Sequence, residues 1–209
     1  MAGAQASSNF SIAVANINDA PVLLTPLVAQ SALEDQNFSY QIPAGTFKDI
    51  DTGDQLTYSA TLANGSVLPS WLAFNAATGT LTGTPGNDQV GSISLNIIAT
   101  DRSGATANSL FSLNVANVND APILATPLAD QSAKQGQAFS YQIPTGSFTD
   151  IDKGDTLSYS ASLSNGNPLP VWLTFNPATG TFSGTPDSAS VGSIALNLTA
   201  TDQAGASAT

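Results

Sequence analysis

Gln36-Asn37-Phe38-Ser39-Tyr40-Gln41-Ile42-Pro43 is answered 101 residues later by Gln137-Ala138-Phe139-Ser140-Tyr141-Gln142-Ile143-Pro144. Phe38, Tyr40 and Ile42 alternate with polar residues, the period-2 pattern of a strand with one buried face. The likeness extends well beyond this strand. Residues 36–62 match residues 137–163 at 19 of 27 positions without a gap. Trp71 and Trp172, Gly83 and Gly184, and Asp101 and Asp202 keep the same offset. Self-similarity at a fixed period marks a tandem repeat. A chain of 209 residues therefore reads as two copies of one unit of about 101 residues.

Within the first copy, strands are expected at about 22–29, 37–43, 55–62, 71–74, 80–83, 92–100 and 108–116. Leu56-Thr57-Tyr58-Ser59-Ala60 and Ile93-Ser94-Leu95-Asn96-Ile97 alternate as clearly as the opening stretch. Turn residues stand between the strands, at Thr52-Gly53-Asp54, Asn64-Gly65, Thr78-Gly79 and Ser103-Gly104. Seven short strands without a helical period indicate an all-β fold, two tandem antiparallel β-sandwiches of immunoglobulin-like type. Trp71 and Trp172 are expected in the cores.

The joint between the copies is Asn117-Val118-Asn119-Asp120-Ala121-Pro122, with an earlier version at Asn16-Ile17-Asn18-Asp19-Ala20-Pro21. It is short, polar and acidic, and it ends in proline, as a taut linker between β-domains does. Residues 8–15 alternate like a strand and match 109–116. The expected organisation is thus residues 1–18 as the closing strand of a preceding repeat plus its linker, 19–119 as repeat 1, and 120–209 as repeat 2 without its last strand. The opening Met1-Ala2-Gly3-Ala4-Gln5-Ala6 lacks the basic and apolar regions of a signal peptide. The chain reads as beginning inside a longer protein, with Met1 added. The N-terminal strand and the open edge of repeat 2 predict self-association by strand addition.

Charge narrows the function. Four Lys and Arg against 15 Asp and Glu leave a net charge of −11. Such a surface offers no basic footprint for nucleic acid, and an anionic membrane repels it. No apolar run approaches the length of a membrane span. Cysteine and histidine are absent, which removes disulfides, thiolate metal sites, the usual zinc ligand and the usual general base. Nucleophile elbows and phosphate loops are absent too. The chain does not read as an enzyme.

The acids are not scattered. Asp19, Asp49, Asp51, Asp54 and Asp101 recur as Asp120, Asp150, Asp152, Asp155 and Asp202, so ten of the 15 lie at repeated loop positions. The sharpest motif is Asp49-Ile50-Asp51-Thr52-Gly53-Asp54, repeated as Asp150-Ile151-Asp152-Lys153-Gly154-Asp155. Three carboxylates on one Gly-bearing loop suit a hard cation, and calcium takes 6–8 oxygen ligands at about 2.3–2.6 Å. Asp202 ends a strand, and the linker adds Asn117, Asn119 and Asp120. In a seven-stranded sandwich these loops can meet at one pole, where like charges repel unless a cation lies among them. Solvated acidic loops without an ion are the plainer alternative.

The order Asp-x-Asp-x-Gly, Leu-x-Tyr-Ser, Phe-Asn-x-x-Thr-Gly, Ala-Thr-Asp-x-x-Gly and Val-Asn-Asp-Ala-Pro resembles a cadherin repeat read end to end. The segment Leu68-Pro69-Ser70-Trp71-Leu72-Ala73-Phe74-Asn75, continuing through Gly83-Thr84-Pro85, is similar to the dystroglycan-type cadherin-like domains of bacterial surface and secreted proteins. The resemblance covers nearly the whole chain, twice. It implies calcium between successive repeats, stiffening a rod. By that resemblance the central joint uses Asn117, Asn119 and Asp120 with Asp150, Asp152 and Asp202, and Glu34 is the acid sent from the preceding repeat. Asn16, Asn18, Asp19, Asp49, Asp51 and Asp101 form the N-terminal counterpart. Gly83-Thr84-Pro85 replaces the family's Leu-Asp-Arg-Glu segment, Asn117 replaces an Asp, and a second Asn after Asp120 is missing. These departures reduce the expectation from three ions to one or two. Gln135 replaces the Glu34 counterpart in repeat 2 and weakens the next joint.

The expected role is a calcium-stiffened adhesion or spacer module, extracellular or at the cell surface. Its partners are neighbouring repeats, another surface protein or a polysaccharide, with no nucleic acid and no membrane insertion. The rivals are a carbohydrate-binding module and a passive spacer without an ion.

Overall fold

The computed structural model describes residues 2–209. The chain falls into two compact units. One comprises the residues up to Pro85 and Val90–Ala116; the other comprises Asn117–Thr209 with Gly86–Gln89. Both are all-β, apart from single 3-10 turns at Asn87–Gln89 and Ser188–Ser190.

The first unit contains β1 (Val22–Leu23), β2 (Gln30–Leu33), β3 (Phe38–Gln41), β4 (Phe47–Lys48), β5 (Thr57–Leu62), β6 (Leu72–Asn75), β7 (Thr80–Gly83), β8 (Gly91–Thr100) and β9 (Thr106–Ala116). One sheet has the order β2-β9-β8-β5, a second β3-β7-β6, and β1 pairs with β4. The expected run 22–29 is not one strand. Pro26 has no N–H to give a ladder, and the N–H groups of Leu24 and Thr25 both go to the Thr46 carbonyl. The chain pairs again only at β2. That strand runs parallel to β9, from Gln30↔Leu113 to Leu33↔Ala116, whereas the other pairings of the unit are antiparallel. Strand β4 has only two residues, too few to carry a periodicity in the sequence.

The core follows the alternation. Leu95, Ile97 and Ala99 of β8 and Leu113 of β9 are fully buried, joined by Phe111 and Val115. Trp71, Tyr40 and Tyr58 pack against this cluster, half-buried. Gly83 has a steric reason: a Cβ there would fall onto the Trp71 carbonyl oxygen, because β6 and β7 approach closely at the Leu72↔Gly83 pair. Gly184 stands against Trp172 in the same way.

The second unit contains β10 (Ile123–Leu124), β11 (Phe139–Gln142), β12 (Phe148–Thr149), β13 (Ser158–Leu163), β14 (Leu173–Asn176), β15 (Thr181–Gly184), β16 (Leu196–Thr201) and β17 (Ser207–Ala208). Its sheets are β13-β16-β17, β11-β15-β14 and the pair β10-β12. Ile143, Phe148, Leu173, Phe182, Leu198 and Ala200 form the buried cluster, with Trp172 packed against it. Only Ser207 and Ala208 lie along the outer edge of β16, opposite Thr201 and Ala200. Residues 131–134, the counterparts of β2, form no ladder.

Candidate metal centres

Each unit gathers acids at one pole. In the first unit the loop after β4 carries Asp49, Asp51 and Asp54. The Asp51 N–H donates to Asp49 Oδ1 at 2.8 Å, and the Asp54 N–H donates to the Asp51 carbonyl at 3.2 Å. Gly53 takes φ of 86°, a left-handed conformation that a side chain would strain, and this lets the loop curl. Asp101 follows β8 and is buried; its Oδ1 accepts the Ala105 N–H at 2.8 Å. From the linker, Asn18 Nδ2 donates to Asp101 Oδ2 at 3.0 Å, and the Asp19 N–H donates to Asp51 Oδ2 at 2.9 Å. Asn16 is exposed.

The second unit repeats the construction. Asp152 N–H donates to Asp150 Oδ1 at 2.9 Å, and Ala206 N–H donates to Asp202 Oδ1 at 2.8 Å. Asn119 Nδ2 donates to Asp202 Oδ2 at 2.9 Å, and the Asp120 N–H donates to Asp152 Oδ2 at 2.8 Å. Asp152 and Asp202 are buried, while Asn117 is exposed. In both units, therefore, linker amides are tied to strand-end and loop carboxylates far away in sequence.

The carboxylates crowd. Oxygens of Asp150, Asp152 and Asp155 lie within 4.8 Å of one another, as do those of Asp49, Asp54 and Asp101 in the first unit. Asp49 Oδ2, Asp150 Oδ2 and Asp152 Oδ1 are buried and have no hydrogen-bond partner. Partial burial, then the charges of Asp150, Asp202 and Asp152, raise the Asp155 carboxyl above its ordinary range. The Asn119 amide, foremost, holds Asp202 below it, and Asn18 does the same for Asp101. Asp54 and Asp155 thus belong to the acidic groups, although the family motif does not include them. The signal was present in the loop, whose third carboxylate recurs in both copies. The units also differ: Arg102 Nε lies 3.7 Å from Asp54 Oδ1, while in the second unit Gln203 stands at that position and bonds Thr156.

Glu34 follows β2 and is buried. Its N–H donates to the Ala116 carbonyl at 3.1 Å, which sets it beside the last residue of β9.

Bare carboxylates packed this closely repel one another, and a buried carboxylate oxygen without a donor costs desolvation free energy. Oxygen-only donors of this kind suit calcium or magnesium. With neither Cys nor His in the chain, the ligands that soft metals favour are absent.

Among curated proteins, the chain is 29% identical over 138 residues to the "Serine-rich adhesin for platelets" of Staphylococcus aureus (strain USA300), 66% of this chain and 6% of that protein. The chain therefore spans only a small part of such relatives. Among solved structures, it is similar to the protocadherin GammaB4 extracellular domain, with a TM-score of 0.55 and 24% identity over 90% of this chain and 33% of that one. It is likewise similar to mouse Cadherin-23 EC22-24, with a TM-score of 0.56 and 20% identity over 88% of this chain and 60% of that one. These likenesses show a cadherin-like fold. The family model described as "Putative Ig domain" matches residues 20–116 and again 121–209, so this chain belongs to that family, as two tandem Ig-like repeats.

Proposed function

We propose that the chain is a pair of calcium-binding cadherin-like modules from an extracellular or cell-surface protein, in which calcium stiffens the joint between repeats. The central ion is held by Asp150, Asp152, Asp202, Asn119 and Asp120, with Asn117 from the linker and Glu34 from the preceding repeat. Asn16, Asn18, Asp19, Asp49, Asp51 and Asp101 serve an N-terminal ion in the same way.

The observation that carries this reading is the pair of buried, partnerless oxygens Asp150 Oδ2 and Asp152 Oδ1 inside a group of like charges. A dication supplies both the missing partner and the missing charge. The backbone bond from Glu34 to Ala116, the residue before Asn117, supports the part given to Glu34. The adhesin relative supports a cell-surface setting, with neighbouring repeats and other surface molecules as partners. The segment 68–85 supports the dystroglycan-type label. A sugar-binding role finds little support: Trp71, Trp172 and the four tyrosines pack against the cores.

Calcium titrated into chelated protein tests the reading. Extracellular modules bind with Kd of about 10⁻⁴–10⁻³ M. Calcium at a hundred times Kd adds about 2.7 kcal/mol to stability and raises the melting temperature by several degrees. Asp152→Ala removes that rise from the second unit. A flat calorimetric trace and an unchanged melting curve reject the proposal. Small-angle scattering with and without calcium adds a second check, since stiffening lengthens the maximum dimension.

A further inference from the structure

We propose that Asp155 is a direct ligand of the ion in the second unit, a carboxylate beyond the set given above. The inference rests on the calcium reading and names a further residue of its site.

Asp155 closes the loop that follows β12. Gly154 takes φ of 99°, a left-handed turn. The Asp155 N–H donates back to the Asp152 carbonyl at 3.2 Å, and the Asp152 N–H donates to Asp150 Oδ1 at 2.9 Å. The loop thus folds on itself, and one oxygen from each of Asp150, Asp152 and Asp155 lies within 4.8 Å of the others. Two ligands of one calcium ion, each about 2.3–2.6 Å from it, can stand no farther than about 5 Å apart. The three oxygens meet that limit pairwise, as ligands of one ion must.

A separate observation points to a ligand here. Asp152 is only 7% exposed. Its Oδ2 accepts the Asp120 N–H at 2.8 Å, whereas its Oδ1 is buried and has no hydrogen-bond partner. Asp150 Oδ2 is buried and partnerless as well. A buried anionic oxygen without a donor is costly, and the Asp155 carboxylate beside it adds repulsion rather than relief. A cation touching all three removes both costs. As a turn residue alone, Asp155 would have no use for its charge, since asparagine serves such turns equally well.

The first unit shows that this corner draws positive charge. Asp54, the counterpart of Asp155, crowds Asp49 and Asp101 within the same 4.8 Å. There Arg102 Nε stands 3.7 Å from Asp54 Oδ1, and the Gln55 N–H donates to that oxygen at 2.9 Å. In the second unit the uncharged Gln203 replaces Arg102, and its amide turns to Thr156 Oγ1 at 3.0 Å. The place that a guanidinium serves in one unit is left to an ion in the other.

The test uses the full chain carrying Asp51→Ala, which silences the first unit's site, so that titrations read the second. In calcium calorimetry, Asp155→Asn is expected to weaken binding by about tenfold or more, because affinity at such sites follows the number of charged ligands. In chelator, the same change is expected to raise the urea midpoint of the second unit, because it removes repulsion. A residue that only shaped the loop would not move these two readouts in opposite directions. Europium bound in place of calcium reports the coordination sphere. Asp155→Ala is expected to admit water to the ion and to shorten the luminescence lifetime in H₂O relative to D₂O. A calcium affinity reduced by less than about threefold, the scale of a charge acting only at a distance, would overturn the proposal. So would an unchanged europium lifetime ratio. If the Asp51→Ala chain binds no calcium, the calcium reading of the second unit falls and this assignment with it. If that chain binds calcium and the Asp155 variants bind equally well, the assignment of Asp155 alone falls.

Discussion

Leu95 and Leu196 occupy the same place in the two repeats and meet different surroundings. Leu95 is fully buried, and Leu196 is 38% exposed. The neighbouring sequence does not explain it: Ser94-Leu95-Asn96-Ile97 and Ala195-Leu196-Asn197-Leu198 are near copies. The difference is β9, which pairs along the edge of β8 for ten residues and sets Phe111 and Leu113 beside Leu95, whereas β17 pairs with two residues of β16. A strand's apolar face becomes core only when neighbouring strands of its own sheet flank it as well as the sheet it faces. Like sequences can thus fold to like strands and still differ in what they bury.

The largest expected effect follows from this contrast. Leu95→Ala should cost about 2–5 kcal/mol, the range for truncating a buried leucine. Leu196→Ala should cost below about 1 kcal/mol, because much of its surface is already in water. Denaturant unfolding followed separately for each unit measures both. Equal costs would break the comparison.

Gly83→Ala and Gly184→Ala probe what the units share. Each places a methyl group onto the carbonyl oxygen of the tryptophan that precedes the adjacent strand. Overpacking of this kind costs about 1–3 kcal/mol. The losses should agree between units, since each glycine meets the same tryptophan carbonyl and the same leucine backbone. A loss in one unit alone would mean that the strand pairs differ more than their registers indicate.

A smaller effect separates the two acidic poles. Arg102 beside Asp54 places a cation next to the first group, and Gln203 places none beside the second. Arg102→Gln should tighten calcium binding to the first unit by a factor of about two to five, the scale of an exposed charge pair. Gln203→Arg should weaken binding to the second unit by a similar factor. Titration calorimetry reads both, and no change in either variant would leave the poles equivalent.

The smallest effects are in pH dependence. Asp101 and Asp202 are held below the ordinary carboxylate range by Asn18 and Asn119. Their contribution is present above the unfolded pKa and lost as pH falls through the folded one. Asn18→Ala and Asn119→Ala should each move that acid loss to higher pH in their own unit. Asp155 is raised, so its contribution has the opposite sign: it is present below the unfolded pKa and lost as pH rises through the folded one. Asp155→Asn should therefore stabilise the second unit at neutral pH in chelator. Urea midpoints from about pH 3 to pH 7 check both signs.

Much of the fold was legible because it is written locally. Phe38-Ser39-Tyr40-Gln41 and Thr57-Tyr58-Ser59-Ala60 show the alternation of strands, and the Asp-Gly and Asn-Gly pairs mark turns. The expected strand 22–29 failed because Pro26 and the Thr46 carbonyl divide it, and the second of these lies twenty residues away. At the poles, the repeated acids were readable one loop at a time. Which of their oxygens approach one another was not, since Asp49 and Asp101 meet only after β5 and β8 have paired.

By itself, the sequence determined that this is a two-copy β-protein with acidic loops and no histidine or cysteine chemistry. Repetition, periodicity and composition are properties of a chain before it folds. Only the tertiary structure decided that β2 runs parallel to β9, that Gly83 has no room for a methyl group, and that Arg102 guards one acidic group and not the other. Each of these depends on distances between segments tens of residues apart, and strand pairing and carboxylate repulsion act through space rather than along the chain.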